Sequence, residues 1–213
     1  LHSTSRRQRQ MCIRDRLMLV VVRIGTQLPV PGVNGNYFSE WFSGNSGSAF
    51  GFFDAITGGS FEKMSVFALN ITPYITSSII IQLLTIAIPK LEELQKDGEE
   101  GRKKMTAITR YLTVALALME SLAMAIGFGR SGLLIEFNAL NVITAVVTLT
   151  AGSTVIMWIG ERITENGVGN GISIVLTINI ISRIPQDLTL LFEQFVKGKE
   201  IAFQVLNLSL IHI

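Results

Sequence analysis

Long apolar stretches alternate with short clusters of charge along this chain of 213 residues. Residues 66–88 and 140–159 contain no charged side chain, and residues 107–128 carry only Arg110 near their start and Glu120 near their middle. About 20 mainly apolar residues are needed to cross a bilayer as a helix. The pattern therefore predicts three membrane spans, over residues 66–88, 107–128 and 140–159.

Two further apolar stretches predict incomplete or bent spans. Residues 17–28 end at a Pro-Val-Pro-Gly sequence and are too short to cross alone, so they are predicted to be the distal part of a first span whose beginning is missing. Residues 172–192 start as a span but meet Arg183 and Pro185, which predicts a kink. We expect five spans, no soluble domain, and an all-α polytopic membrane protein.

The segments around the second span indicate an aqueous cavity. Ala49–Thr57 is an apolar run closed by two glycines, and it is long enough for only about two helical turns. A half-helix at membrane depth needs surrounding protein or a water-filled cavity. The span over 66–88 is also unusually polar for a lipid-facing helix, which favours a position inside a bundle. Its polar or helix-breaking residues include Asn70, Thr72, Pro73, Thr76, Ser77 and Gln82.

The loops set the orientation. Residues 89–104 form a predicted charged loop that, together with Arg110, carries six basic residues, against Lys63 alone in residues 29–65. Lys and Arg concentrate on the cytoplasmic side, so this loop is predicted to be cytoplasmic. Residues 160–171 are predicted to be a glycine-rich turn on the same side. Their glycines lack the spacing and the preceding strand of a nucleotide-binding loop.

Charge and composition exclude several classes of function. Charged residues make up 16% of the chain, below the usual quarter for soluble domains. Residues 1–16 carry a net charge of +4 and the remainder −2, so the basic balance gives no reason to predict nucleic-acid binding. We interpret residues 1–16 and 207–213 as non-native ends. They hold the single cysteine and both histidines, so we predict no metal site and no cofactor.

Three kinds of function remain open on the residues alone. Glu120 at mid-membrane is a candidate ion or proton site of a secondary transporter, although a packed carboxyl is the simpler interpretation. An intramembrane enzyme would need a nucleophile with its base, or metal ligands, and residues 17–206 hold neither His nor Cys. Ile71 and Ile75 lie one helical turn apart, and Ile172 and Leu176 repeat this spacing, which fits ordinary packing as well as a pore.

Four motifs occur in order: RIGTQLPVPGVN (23–34), FALNITPYITSSIIIQLL (67–84), GEEGRKK (98–104) with TRY (109–111), and GERITENGVGNGISI (160–174). Together they resemble the bacterial SecY family of protein-translocation channels, and the resemblance covers residues 17–206. It implies ten spans in two inverted halves, of which this chain supplies the first five-helix half and ends near the joint at residues 187–200.

The resemblance also implies roles for particular residues. Residues 49–64 match a short plug, whose matching positions are Phe52, Phe53, Asp54, Ala55, Ile56, Thr57, Gly58 and Gly59. Residues 66–88 match one edge of a lateral gate. Four positions match the family's six-residue aliphatic pore ring: Ile71, Ile75, Ile172 and Leu176. Leu176 stands where isoleucine is common, a change that keeps the volume.

The implied function is conduction of unfolded polypeptides across and into the membrane. The implied partners are the small membrane subunits SecE and SecG, with the SecA motor or a ribosome on the cytoplasmic side. Unfolded secretory and membrane proteins would be the substrates. The expected location is the bacterial inner membrane, with the N-terminus in the cytoplasm and several spans in contact with the lipid bilayer.

Overall fold

The computed structural model describes residues 2–45, 49–166, 169–185, 188–189 and 192. In these residues all regular structure is helical, as predicted, and the β-pairing is limited to two isolated bridges. The helices, in chain order, are α1 (His2–Gly25), α2 (Gly35–Asn45), α3 (Ala49–Thr57), α4 (Thr72–Ala87), α5 (Pro89–Lys96), α6 (Gly98–Phe128), α7 (Ala139–Asn166) and α8 (Gly171–Ile181). A π-helical turn, Gly129–Leu133, follows α6.

Two helices are long and apolar enough to cross a membrane by themselves, among the residues described. They are α6, with 31 residues, and α7, with 28, and they contain the predicted spans 107–128 and 140–159. A third crossing arises if α4 and α5, which bend by 105° at their junction, are counted as one broken span. The helix α8 is apolar but has only 11 residues.

The second predicted span is not a single helix. Residues 66–71 form turns, and regular helix starts only at Thr72, so Asn70 precedes the helix in which it was predicted to lie. Asn70 adopts a positive φ of 50°, a conformation that Asn tolerates better than most residues. Pro73 then occupies the first helical turn, where its missing N–H costs nothing.

The irregular segment before α4 is held by α7. A Cβ added to Gly152 of α7 would lie 2.1 Å from the carbonyl oxygen of Val66. Only a glycine allows so close an approach of the two backbones. Ala68 and Leu69 beside it are completely or almost completely buried, so the segment belongs to the protein interior.

The residues predicted as a charged loop, 89–104, are helical. Pro89 opens α5, and Asp97 separates it from α6, whose first residue, Gly98, has a φ of 70°. Lys96 pairs with Glu92 one turn earlier at 2.6 Å, a spacing that supports a helix. The residues are rich in Glu, Lys, Leu and Gln, which favour helix even when fully solvated.

The glycine-rich turn is shorter than predicted, since α7 continues through Asn166. Asn170 caps α8, where its side-chain oxygen accepts hydrogen bonds from the amides of Ile172 (3.1 Å) and Ser173 (3.4 Å). A Cβ added to Gly171 would lie 2.2 Å from the carbonyl oxygen of Gly160. This glycine therefore lets α8 pack tightly on α7.

The other predicted boundaries also shift. The first helix runs continuously from His2 and ends at Gly25, three residues before the predicted end of the span at residue 28. The predicted joint at 187–200 lies largely outside the described residues, and the tail at 207–213 lies wholly outside them.

The helices pack around two apolar clusters. One surrounds Leu149 of α7 and contains Phe42, Phe61 and Met64. The other joins α1, α7 and α8 and contains Val22, Ile156 and Val175. Large apolar side chains nevertheless remain exposed on the long helices, among them Met119 (66%) and Ile143 (62%). Such a surface is expected of helices that face lipid.

Candidate pore lining and plug contacts

The four predicted pore-ring residues come together in the structure. Ile71, Ile75, Ile172 and Leu176 all belong to the apolar cluster that joins α1, α7 and α8. None of them is exposed in the way that a lipid-facing residue would be. Ile71 is almost completely enclosed, at 1% exposed, whereas the other three are half-buried and keep some accessible surface.

Ile71 and Ile172 meet above Gly160. A Cβ added to Gly160 would lie 3.2 Å from Cγ1 of Ile172 and 3.6 Å from Cδ1 of Ile71. Both side chains therefore reach the same point on α7, one from the start of α4 and one from the start of α8. The absence of a side chain at residue 160 makes room for them.

One face of α8 changes from apolar to polar along its length. Ile172, Leu176 and Asn179 of α8, and then Arg183 in the turn just beyond its end, follow one another at intervals of three or four residues, the spacing of one helical face. The aliphatic end of this row joins the predicted pore ring. The polar end contacts the predicted plug, since α3 packs against α8.

Asp54 is the charged group of the predicted plug, and it is completely buried. Its carboxylate forms a salt bridge with the Arg183 guanidinium, and its Oδ1 accepts a hydrogen bond of 2.8 Å from the backbone amide of Glu62. Arg183 also lies 3.9 Å from the carboxylate of Glu62. A buried carboxylate needs such partners to remain charged.

Two buried asparagines continue these contacts toward the pore ring. Nδ2 of Asn179 donates a hydrogen bond of 3.2 Å to Oδ1 of Asn70, the residue next to Ile71. A Cβ added to Gly58 would lie 2.7 Å from the carbonyl oxygen of Asn179, so the plug packs directly on the α8 backbone. We refer to Asp54, Glu62, Asn70, Asn179 and Arg183 as the polar cluster.

The structure distributes the predicted plug residues over a short helix and its turn. Phe52 to Thr57 lie in α3, and Gly58 and Gly59 both take positive φ values, of 70° and 79°, in the turn that follows. Thr57 is completely buried, and Phe53 packs edge-on against Phe61 at a ring-centroid distance of 5.1 Å.

The predicted gate residues have different environments. Thr72 and Pro73 occupy the first turn of α4, and Thr76 bonds only to the carbonyl of Thr72, at 3.1 Å, among the contacts described. The Ser77 hydroxyl lies 2.6 Å from that of Thr113 and ties α4 to α6. Gln82 is exposed.

Glu120 lines an apolar cavity of about 400 Å³ between the plug, α4 and α6. Its neighbours there are Phe53, Phe61, Leu69, Thr72 and Met124. In the part of the chain that is described, no group of three or more His, Cys, Asp or Glu side chains is arranged to hold a metal ion.

The sequence interpretation did not identify Asn179 and Arg183 as contacts of the plug, or Glu62 as the plug residue that shares these polar contacts. Arg183 was considered only as a break in the last span. The available signal was a lone acid, Asp54, in one apolar segment and a lone base, Arg183, in another. Opposite charges isolated in apolar surroundings are expected to pair.

The apolar exterior, the long α6 and α7 and the buried half-helix α3 define a multi-pass membrane protein with a polar and an aliphatic site inside its helix bundle. The family model described as SecY matches residues 65–213. The chain belongs to the SecY family.

Curated relatives agree with this assignment. The protein translocase subunit SecY of Pseudomonas aeruginosa is 41% identical over 197 residues, which cover 92% of this chain and 45% of that protein. The subunit of Escherichia coli K12 is 41% identical over 89% of the chain, and that of Corynebacterium glutamicum is 44% identical over 80%. The chain thus spans less than half the length of these relatives.

Two solved structures share the fold. They are described as Sec61 in the canine ribosome-channel complex from the endoplasmic reticulum and as the structure of a protein conducting channel. Each matches with a TM-score of 0.57 and 19% identity, and covers 93% of this chain and 40% of the other.

Proposed function

We propose that this chain forms the N-terminal half of the central pore subunit of a protein translocase, which conducts unfolded polypeptides across and into the membrane. The observation that carries the proposal is the convergence of Ile71, Ile75, Ile172 and Leu176 in one cluster beside a buried plug helix. Membership in the SecY family supports the same function.

An aliphatic ring suits a passage for polypeptides. Its side chains offer no hydrogen bonds to water or ions, so a narrow ring stays dry when it is empty. Flexible aliphatic groups also adapt to the differing side chains of a passing polypeptide. Ile75, Ile172 and Leu176 keep accessible surface for this role, while Ile71 supports them from within the cluster.

The plug adds a second barrier. Residues 49–64 supply α3 and a buried turn, and they contact α8 next to the ring through Gly58 and Asp54. Displacement of this segment would open the passage without unfolding the long helices. No covalent chemistry is part of this function.

The lateral gate is proposed for the α4 side of the bundle. Thr72 and Thr76 are half-buried polar positions on its N-terminal half, and Gln82 is exposed further along. The Ser77 hydroxyl, by contrast, forms a hydrogen bond with the hydroxyl of Thr113 of α6. The moving edge of the gate would therefore be α4 and α6 together rather than α4 alone.

We further propose the location and the partners. The protein would lie in the bacterial inner membrane with its N-terminus and the basic segment 89–104 in the cytoplasm. This orientation agrees with the concentration of Lys and Arg in cytoplasmic segments. SecE and SecG would be its small membrane partners, and SecA or a ribosome would deliver the polypeptide. The canine relative is described in a complex with a ribosome, which supports the last of these.

Ion conductance through planar bilayers tests the proposal. We expect Ile75→Gly, in the complete translocase subunit with its partners, to raise the resting conductance because the dry constriction is widened and hydrated. Ile75→Val should leave the conductance unchanged. The matched control is Ile79→Gly, one turn along the same helix, at a residue that is 50% exposed and outside the cluster. Equal conductance for both glycine variants would contradict the ring.

The secondary-transporter alternative receives no support from the family or from the solved structures. Among the described residues that line its apolar cavity, Glu120 is the only charged one. An ion site would need further polar ligands around it.

A further inference from the structure

The polar cluster joins three separate parts of the chain at the boundary between the plug and the pore ring. Asp54 and Glu62 come from the plug, Asn70 precedes α4, Asn179 comes from α8, and Arg183 from the turn that follows α8. Asn70 and Asn179 are 1% and 0% exposed, and Asp54 is 0% exposed. The apolar side chains of the plug, Phe53, Phe61 and Met64, pack in the other cluster, around Leu149, so the polar cluster is the directional part of the contact with Arg183.

We propose that Arg183 is a positioning residue that holds the plug in the closed channel through its salt bridge to Asp54, while Asn179 holds α8 against the segment before α4 through its hydrogen bond to Asn70. This inference rests on the proposed channel function and concerns the regulation of the same site. Apolar contacts alone would let the plug slide over α8. Two charge contacts and a close backbone approach at Gly58 define a single closed position.

We expect the plug to separate from the polar cluster with only a small increase in free energy. Within the described residues, two atoms of the cluster, Nδ2 of Asn70 and Oδ1 of Asn179, are buried without a hydrogen-bond partner. A buried polar group that lacks a partner has lost its hydration without compensation. When the plug leaves, water reaches these groups and the separated charges. Their hydration offsets part of the lost attraction, since a buried ion pair contributes little net stability compared with its separated, hydrated ions.

The energetics of the ion pair predict that single and double charge removals will have different effects. Removal of the Arg183 charge leaves Asp54 completely buried without its charge partner, and removal of the Asp54 charge leaves Arg183 with the more distant carboxylate of Glu62 on the plug, so either single loss is expected to cost more than removal of both charges. Asp54→Asn and Arg183→Gln should each displace the plug, whereas the double variant should close again to a large extent. If the two side chains acted on the plug independently of each other, their effects would instead add.

The experiment measures resting ion conductance of the complete translocase, with its partner subunits, in planar bilayers. We expect each single variant to raise the fraction of time spent open about tenfold, and the double variant to remain within about threefold of the parent. The control is Lys63→Gln, which removes an exposed charge on the same segment whose contact is with Gln27. Additive effects, or single variants indistinguishable from Lys63→Gln, would overturn the proposal.

A chemical readout distinguishes plug displacement from misfolding. Thr57 is completely buried, so a Thr57→Cys variant in a Cys12→Ser background should react slowly with a water-soluble maleimide. Addition of Asp54→Asn should accelerate labelling about tenfold while polypeptide translocation continues, because the open state becomes accessible. Unchanged labelling would refute the positioning role. If Ile75→Gly also failed to conduct and the assembled complex did not translocate, the channel function itself would fail.

Discussion

The hydroxyls of Ser77 and Thr113 lie 2.6 Å apart in the buried interface between α4 and α6. Each hydroxyl also reaches a carbonyl of its own helix, so one of the two donates to the other while the second donates to its helix. Ser121 and Thr150 repeat the arrangement between α6 and α7, at 3.0 Å. These two contacts link the three helices in series.

A double-mutant cycle on Ser77→Ala and Thr113→Val should measure this link. We expect a coupling energy of about 0.6 kcal/mol, the average for hydrogen bonds between membrane helices. Thermal unfolding of the detergent-solubilised complex provides the measurement. Thr76→Ala is the control, because Thr76 bonds only within its own helix among the contacts described. A coupling indistinguishable from zero would mean that the two hydroxyls do not stabilise the helix pair.

Alanine substitutions at Ile71 and at Ile75 should have different effects on stability and on ion conductance. Ile71 is 1% exposed, so Ile71→Ala should lower the stability of the complex by about 2–5 kcal/mol through the cavity it leaves. Ile75 is half-buried, and Ile75→Ala should mainly raise ion conductance with a smaller loss of stability. Thermal unfolding and bilayer conductance, measured on the same preparations, separate the two effects. The reverse order would show that Ile71 rather than Ile75 faces the passage.

Gly58 and Gly59 provide a matched pair for testing the contact of the plug with α8. Both have positive φ values, so alanine at either position carries a similar backbone strain of about 1–2 kcal/mol. At Gly58 the new Cβ would meet the backbone of α8, while at Gly59 no atom of the described residues lies within 4 Å of it. Gly58→Ala should therefore increase resting conductance more than Gly59→Ala. Equal conductance would assign the effect to backbone strain alone.

Gly152→Ala should disturb the segment that precedes α4. The added methyl group would overlap the carbonyl of Val66, and such overpacking typically costs about 1–3 kcal/mol. Gly127→Ala in α6 is the control, since no atom in the described part of the chain lies within 4 Å of the added group. Thermal unfolding of the complex should show a lower midpoint for the first variant and a change within about 0.5 kcal/mol for the second. Similar midpoints for the two variants would mean that the backbones at Val66 and Gly152 can move apart without a loss of stability.

Glu120→Gln should leave polypeptide translocation intact. The carboxylate lines an apolar cavity and is not part of the polar cluster, so the amide can replace it without loss of a known contact. The measurement is uptake of an unfolded precursor into proteoliposomes. A loss of uptake, together with normal assembly, would require a role for the charge at this position.

The sequence predicted the apolar parts of the structure better than the polar ones. Helical spacing and the family motifs identified Ile71, Ile75, Ile172 and Leu176, and the structure brings them into one cluster. These residues were accessible to prediction because burial follows from local hydrophobicity. Residues 89–104 were interpreted as a loop from their charge, although their helix propensities favoured α5 and the start of α6.

The polar cluster and the start of α4 depend on contacts that no local pattern contains. Asn70 was expected inside a helix because the segment is apolar and uncharged. Its positive φ accompanies the packing of Val66 on Gly152, which lies far along the chain. The partnership of Asp54 with Arg183 likewise joins distant segments. Each charge was visible in the sequence, but the pairing required the fold.

The packing of Val66 on Gly152 also has a consequence for the order of assembly. Membrane helices emerge from the ribosome one after another, and α4 is complete before α7 has been made. The turns at residues 66–71 cannot be shielded by α7 at that stage, and exposed backbone groups are costly in lipid. We therefore expect the newly made α4 and its preceding turns to stay in a hydrated or protein-lined environment until α7 has been made and packs against them.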